Sequence, residues 1–419
     1  MSRLFSCFLM LIFFGAWSQN TSIYTVEIKG LKKSKKGYIE KLILSKANQV
    51  LDSNKVKEDI IRLIREPAVS HAYFTVETLD DKNRVVFHIE ENKTLIPALD
   101  LWTTIDSELA YHIGLNEYNF LGRGYLIGAF YRKNIFNGYG LILGNPNFRG
   151  TRFGNYFLYQ KRNTFEPVNQ GGETYFYNYK FTSVDLNFDY KPNILNTCSL
   201  GVSILSEEYD LENSKANSTL PNFFSTNKFL LKTKYDFNRV EQFYYFFFGI
   251  RNQLSSNWVW GKNFGSEHFF YSLENETSYF KRVMKRGNWA TRLKVGFSKN
   301  FSTPFPAFVL DNNLNTRGVG NKFRRGSAVG ELNSEYRHTL IEHRWFVVQA
   351  NGFIDFAALL PAGEKSNELF QEKNQHVFGG LGLRFIHKFI HSAIFRIDYG
   401  VSLNQVQSRG IVFGIGQFF

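Results

Sequence analysis

The sequence predicts a mainly β protein: a transmembrane antiparallel β-barrel of about 16 strands, preceded by a small α+β domain. Three observations carry this. Aromatic residues make up 17% of the chain, with 44 Phe and 22 Tyr against three Met, yet mean hydropathy is negative at −0.27. From Pro97 to Phe419, apolar and polar residues alternate with period two. Beyond the first 18 residues, no continuous apolar run reaches spanning length, so any membrane crossing must use strands.

The elements follow in chain order. Met1–Ser18 reads as a signal peptide. Arg3 supplies a basic start, Leu4 to Phe14 is almost wholly apolar, and Ala16-Trp17-Ser18 offers small residues for cleavage before Gln19. The apolar run falls short of the roughly 20 residues that a spanning helix needs. Of the two cysteines, Cys7 lies in this segment. Cys198 alone can form neither an internal disulfide nor a cysteine metal cluster.

Residues 21–95 read as one small domain. Ile23 to Ile28 alternates as a strand and stops at Gly30. Lys36 to Leu44 has helix spacing, with Ile39, Leu42 and Ile43 on one face. Asp52-Ser53-Asn54 offers caps for a second helix with the stripe Val56, Ile60, Leu63 and Ile64, ended by Pro67. His71 to Thr78 and Val85 to Glu90 read as strands joined by a turn at Asp80-Asp81-Lys82-Asn83. This order of strand, helix, helix, strand, strand resembles a POTRA (polypeptide-transport-associated) domain. The resemblance implies a periplasmic module that pairs its open sheet edge with an extended client or partner strand.

Residues 97–419 read as the barrel. Val184, Leu186, Phe188 and Tyr190 alternate with Asp185, Asn187, Asp189 and Lys191. Trp289, Thr291, Leu293, Val295 and Phe297 alternate with Ala290, Arg292, Lys294, Gly296 and Ser298. One face suits lipid and the other a wet or plugged lumen. Roughly 15 or 16 such segments are present, and closure favours an even number. The first barrel strand is expected near Leu109 to Tyr118, and the last over Gly410 to Phe419. On that last strand Phe419, Ile415, Phe413 and Ile411 share a face, which resembles the C-terminal signal of outer-membrane barrels. The formal net charge of +13 is assigned to lumen and loops, with some contact to anionic lipid head groups, and no nucleic-acid partner is expected.

Three stretches together resemble the BamA/TamA family of outer-membrane assembly proteins (the surface-antigen barrel superfamily). The first is Asn119-Phe120-Leu121-Gly122-Arg123-Gly124, followed by Gly144-Asn145-Pro146-Asn147-Phe148, with Asn145 where the family has Asp. The second is Asn315-Thr316-Arg317-Gly318-Val319-Gly320, followed by Glu331 and Glu335-Tyr336-Arg337. It resembles the R-G-aromatic tip of a long loop that folds into the lumen, with Val319 in the aromatic position. The third is Phe353-Ile354-Asp355-Phe356-Ala357 and Gly380-Leu381-Gly382-Leu383-Arg384-Phe385, with Ala357 where the family has Gly.

The resemblance implies that Arg317 reaches Asp355 from the infolded loop and fixes it through two parallel hydrogen bonds. Gly318 belongs to that anchoring motif, and inward-facing Glu335 and Arg337 are candidates for the same network. No HExxH, GxSxG or P-loop occurs, and no nucleophile, histidine and acid stand out together. His387 and His391 have helical spacing in a strand-rich region and suit a turn better than a metal. No enzyme activity, metal or cofactor is expected. The implied function is insertion or translocation of other outer-membrane or surface proteins, in an accessory role because a single POTRA-like domain and Val319 depart from the principal factor. The alternatives are a secretion pore for a dedicated partner protein, or a passive channel made anion-preferring by Lys232, Lys234, Arg292 and Lys294. Expected partners are unfolded outer-membrane or secreted clients, membrane lipids, and periplasmic or lipoprotein subunits. The expected location is the outer membrane of a Gram-negative bacterium.

Overall fold

A computed structural model describes residues 22–419, except 80–81, 104–108, 135, 171–172, 213–219, 244, 263–267, 300–306, 313–314, 321–323, 362–363, 389, 391–392 and 405–407. The signal segment Met1–Ser18, the turn residues Asp80 and Asp81, and His391 lie outside the described residues.

The first unit runs β1 (Ile23–Lys29), α1 (Lys36–Leu42), α2 (Ser53–Ile64), β2 (Val69–Leu79) and β3 (Lys82–Glu91). Its sheet has the order β1-β3-β2, with β1 parallel and β2 antiparallel to β3. Asp52 caps α2 by accepting from the backbone N–H of Asn54 at 2.8 Å and Lys55 at 3.3 Å. Ile39 and Leu42 of α1, Val56 and Leu63 of α2, and Val85, Phe87 and Ile89 of β3 form one buried core. Asp59 is wholly buried on α2, an exception to the apolar stripe. It is satisfied by the backbone N–H groups of Leu44 and Ser45, both at 2.8 Å, and by Arg62 at 2.6 Å.

The wall of the second unit is built from β4 (Leu95–Thr103), β5 (Leu109–Phe120), β6 (Tyr125–Asn134), β7 (Phe136–Asn145), β8 (Phe153–Gln170), β9 (Glu173–Tyr190), β10 (Asn196–Leu211) and β11 (Phe223–Asn238). A short β12 (Glu241–Phe243) pairs with the foot of β13 (Phe246–Gly261). The wall continues through β14 (Phe269–Val283) and β15 (Gly287–Ser298). A hairpin of β16 (Phe308–Leu310) and β17 (Arg324–Gly326) stands apart from the wall as a separate two-stranded sheet. The wall then closes through β18 (Ala328–Glu342), β19 (Phe346–Leu360), β20 (Gln375–His387), β21 (Ile394–Ser402) and β22 (Arg409–Ile415). These strands form a closed 16-stranded antiparallel barrel. Among the described residues, no helix is long and apolar enough to cross a membrane.

Alternation sorts the two faces. Val184, Leu186, Phe188, Trp289, Leu293, Val295, Phe395 and Tyr399 are exposed on the outside, while Asp185, Ser203, Gln349 and Asn351 are buried inside. An apolar exterior of this extent suits hydrocarbon rather than water.

Two sequence expectations require correction. The first wall strand is β4, beginning at Leu95, so the expected Leu109 to Tyr118 strand is the second. The boundary drawn between residues 95 and 97 falls inside this strand, where Pro97, without an N–H, is tolerated near the strand start. The last strand also ends early. It stops at Ile415, and Gly416 turns the chain at φ +103°. Phe419 therefore leaves the strand face it was expected to share with Ile415 and Phe413.

The small unit sits on the barrel's turns. Lys35 N–H donates to the Gly122 carbonyl at 2.7 Å, and Asn119 Nδ2 donates to Ser34 Oγ at 2.9 Å. Lys33 Nζ meets Glu117 at 2.8 Å, Asn147 Nδ2 donates to Glu66 at 3.1 Å, and Arg65 Nη2 donates to the Asn238 carbonyl at 2.9 Å. The N-x-x-G-x-G turn is thus the seat of the small unit. A Cβ on Gly124 would stand 2.4 Å from the Tyr38 ring, and the position has φ +69°. Tyr38 itself donates to Glu66 at 2.6 Å. Burial, and then the Glu66 carboxylate, push its phenol well above the ordinary range and keep it a donor.

Gly124→Ala is expected to unseat the small unit while leaving the barrel folded. Spin labels at Lys57 and Lys281, in a Cys198→Ser background, should give a narrow distance distribution that broadens in the variant. An unchanged distribution would count against this seat.

Candidate functional site

The segment from β15 to β18 is long and returns into the lumen. Its tip, Asn315 to Gly320, lies among inward side chains of β18, β19, β20 and β21. Asn315 fixes the tip from below: its Nδ2 donates to Glu331 at 2.7 Å and to the Val309 carbonyl at 2.8 Å. Arg292 of β15 adds bonds to Asn333 at 3.0 and 2.7 Å and to the Asn315 carbonyl at 3.3 Å.

Arg317 is fully buried. Its Nε and Nη2 donate to the two oxygens of Asp355, each at 2.9 Å, and its backbone N–H donates to the same carboxylate at 3.0 Å. Nη1 donates to Glu335 at 2.6 Å. The guanidinium lies over the Phe353 ring, 3.6 Å from its centroid. Glu335 also accepts from Arg337 Nε at 2.5 Å and from Arg384 Nη2 at 3.0 Å. Asp398 accepts from Asn351 at 3.0 Å and stands 3.5 Å from Arg396. Arg317, Gly318, Glu335, Arg337 and Asp355 therefore meet at one point in the lumen.

Gly318 has a steric requirement. Its φ is +95°, and a Cβ there would lie 2.8 Å from the Gly400 backbone. Tip and wall approach backbone to backbone at this pair of glycines. Val319 is buried in an apolar cluster with Phe308, Leu310, Val329, Ala357, Leu359 and Phe378. The two departures from the family pattern, Val319 for an aromatic and Ala357 for Gly, thus occupy one cluster. The volume missing from one is partly returned by the methyl of the other.

The chain after Gly416 completes the site. Gln417 accepts from Arg384 Nε at 3.0 Å. The Phe418 ring lies 4.4 Å from the Arg317 guanidinium and 4.9 Å from that of Arg396. Phe419 faces Arg292 at 5.3 Å and Arg337 at 5.8 Å. Phe419, expected to share a face with Ile415, Phe413 and Ile411, instead joins Gln417 and Phe418 in covering the loop anchor from inside. Sequence reading missed Arg384, Arg396 and Asp398, although the inward register of Arg384 on G-x-G-L-R and of Arg396 with Asp398 was available. It also missed Phe418, because alternation does not foresee a turn at Gly416.

Three of the four lumen cations expected to favour anions have polar partners among the described residues. Lys232 is paired with Asp185, Lys294 with Glu274 at 2.9 Å, and Arg251 with Asp236 at 2.6 Å. Arg292 is committed to Asn333. These partners offset the charge of Lys232 and Lys294, Arg292 also stands 4.0 Å from Glu276 and Glu331, and Lys234 stays exposed.

No family model and no curated relative matches the sequence. Solved structures do match in fold. BamA from Haemophilus ducreyi lacking POTRA domains 1–3 superposes with a TM-score of 0.57 and 14% identity, covering 94% of this chain and 84% of that one. CdiB from Acinetobacter baumannii gives a TM-score of 0.60 at 11% identity, over 95% of this chain and 74% of that one. CdiB from Escherichia coli gives 0.64 at 11% identity, over 95% and 77%. The chain has the 16-stranded barrel fold found in these structures.

Two predictions follow from the geometry. Arg317→Ala leaves Asp355 and Glu335 buried with a cation removed and should cost about 3–5 kcal/mol. Arg317→Lys should recover little, because an ammonium cannot make the two parallel bonds. The unfolding midpoint in detergent, followed by heat-modified gel mobility, reads both; a lysine variant as stable as the parent would contradict the bidentate role. Val319→Phe alone should destabilise by about 1–3 kcal/mol through overpacking. Adding Ala357→Gly should recover part of that loss, and strict additivity in the double-mutant cycle would show the two sites to be independent.

Proposed function

We propose that this protein assembles or translocates other proteins at an outer membrane, in the manner of BamA/TamA barrels, and that clients engage the seam between β4 and β22. One observation carries the proposal. Among the described residues β22 pairs with β4 at a single register position, Phe413 opposite Leu101. Its other neighbour, β21, pairs with it from Phe395–Ile415 through Val401–Arg409. β4 pairs with β5 along its whole length. Among the described residues, the ladder between β4 and β22 is thus far shorter than the ladders on either side of it. Backbone N–H and C=O groups left free there offer a template for an incoming strand.

The small unit suits a receiving role. β2 is an edge of its sheet, and Tyr73 and Val76 on it are exposed. An extended client segment can add to such an edge through main-chain hydrogen bonds, as the POTRA reading implies. In this proposal the small unit faces the periplasm. Partners are unfolded outer-membrane or secreted proteins, with periplasmic or lipoprotein subunits alongside. Folding of the client into lipid supplies the free energy, so the proposal needs neither cofactor nor catalysis.

A secretion pore for a dedicated partner protein is the second reading, and the likeness to two CdiB barrels keeps it open. It requires the infolded loop and the Gly416–Phe419 tail to vacate the lumen together. The buried Arg317 network opposes that step, whereas seam opening leaves it in place.

Depletion in the native host, followed by quantitative proteomics of outer membranes, tests the proposal. Selective loss of a few barrel or surface proteins, with unfolded forms accumulating in the periplasm, is expected. An unchanged outer-membrane proteome would overturn it.

A further inference from the structure

We propose that the foot of the seam binds an anionic phospholipid, from the leaflet on the side of the small unit. The inference rests on the barrel standing in a bilayer and is independent of whether it handles clients.

An apolar groove of about 340 Å³ lies where β4 begins, where β22 ends, and where the β18–β19 and β20–β21 turns meet them. Ile96, Pro97, Trp345, Phe385, Phe395 and Ile415 line it, and its surface is almost wholly apolar. Phe385, Phe395 and Trp345 belong to the exposed outer face. The groove is therefore open to hydrocarbon and placed where the wall ladder is thinnest. Its position at the strand ends is also where an aromatic belt meets lipid headgroups.

The surroundings of the groove are basic. The linker residue Lys93 bridges to Ile390 of the β20–β21 turn, a lining residue, so the linker frames the groove. Lys93 and Arg344 are exposed, and Lys388 pairs with Glu342 at 2.7 Å. On the other side of the linker lies the loop Lys32-Lys33-Ser34-Lys35-Lys36, whose four lysines are exposed. The cluster is held in place rather than free. The backbone N–H groups of Lys33 and Ser34 donate to Glu91 at 2.7 and 2.8 Å, and Lys35 N–H holds the Gly122 carbonyl. Beside it the turn exposes Phe120 and Leu121, next to exposed Arg123.

Lys33 and Lys36 have carboxylate neighbours, Glu117 at 2.8 Å and Glu40 at 3.6 Å. Lys32, Lys35, Lys93 and Arg344 have none among the described residues. Unneutralised cations at the headgroup level, next to an apolar groove facing the acyl chains, complement one ligand chemistry: an anionic headgroup carrying hydrocarbon. The acyl chain fills the groove, and the phosphate meets the linker and loop cations.

The test uses the full folded protein, purified in neutral detergent. Dioleoyl phosphatidylglycerol and dioleoyl phosphatidylcholine are titrated separately, and retained lipid is counted by native mass spectrometry. Phosphatidylglycerol should be retained at concentrations about tenfold lower than phosphatidylcholine. Joint Lys32→Gln, Lys35→Gln and Lys93→Gln substitution should abolish that preference. Ala393→Trp, which fills the groove, should lose both lipids, with Ile415→Trp as a second groove filler should the first not fold. Gel mobility before heating reports folding. Equal retention of the two lipids, or undiminished retention with the groove filled, overturns the proposal. So does competition by inorganic phosphate with no effect of groove filling, which would assign a bare anion site.

Discussion

The Arg317 guanidinium, held on Asp355 by two parallel bonds, is the interaction on which the interior of this barrel depends. A loop that enters a lumen must lose conformational freedom and bury polar backbone. Asp355 accepts from the loop's backbone and from its side chain at once, so one wall carboxylate fixes both position and orientation. Around that contact the wall supplies Glu335, Arg337, Arg384 and Asp398, and the chain end supplies Phe418. Each buried charge has at least one opposite neighbour, which is the condition for burying charge at tolerable cost.

The same network shapes the seam. Gly416 turns the end of β22 inward, where Gln417 and Phe418 meet Arg384, Arg317 and Arg396. Residues that lie inside the lumen cannot lengthen the β22–β4 ladder. The packed lumen therefore limits the seam at this end, where the wall and the arginine cluster compete for the last few residues. In the proposed function this arrangement favours work at the seam over passage through the packed lumen.

Much of the architecture was legible because it rests on period-two patterning. Phe188 and Asp189, or Leu293 and Lys294, declare opposite faces with no tertiary knowledge. The small unit was equally readable, since Asp52 caps a helix whose Val56 and Leu63 repeat at helical spacing. Arg317 and Asp355 could be paired through family resemblance, because a bidentate contact needs those two residue types. Three features escaped for physical reasons. β4 straddles the boundary drawn between residues 95 and 97, and its pairing with β5 is a tertiary contact that no local pattern declares. Gly416 broke the final strand, and a glycine's positive φ leaves no mark in an alternating pattern. The docking of Tyr38 against Gly124 is tertiary and far apart in sequence, so the N-x-x-G-x-G turn appeared as a motif without a purpose. Its purpose in the structure is to receive the small unit.

The account stands or falls on whether the seam must open. Leu101→Cys with Phe413→Cys, in a Cys198→Ser background, places two thiols at the register pair that, among the described residues, joins β4 to β22. Oxidation should lock the seam and stop delivery of clients to the outer membrane in living cells, and a reductant should restore it within the lifetime of the folded protein. A locked seam that still supports full client assembly would contradict the account and move the working surface elsewhere on the barrel.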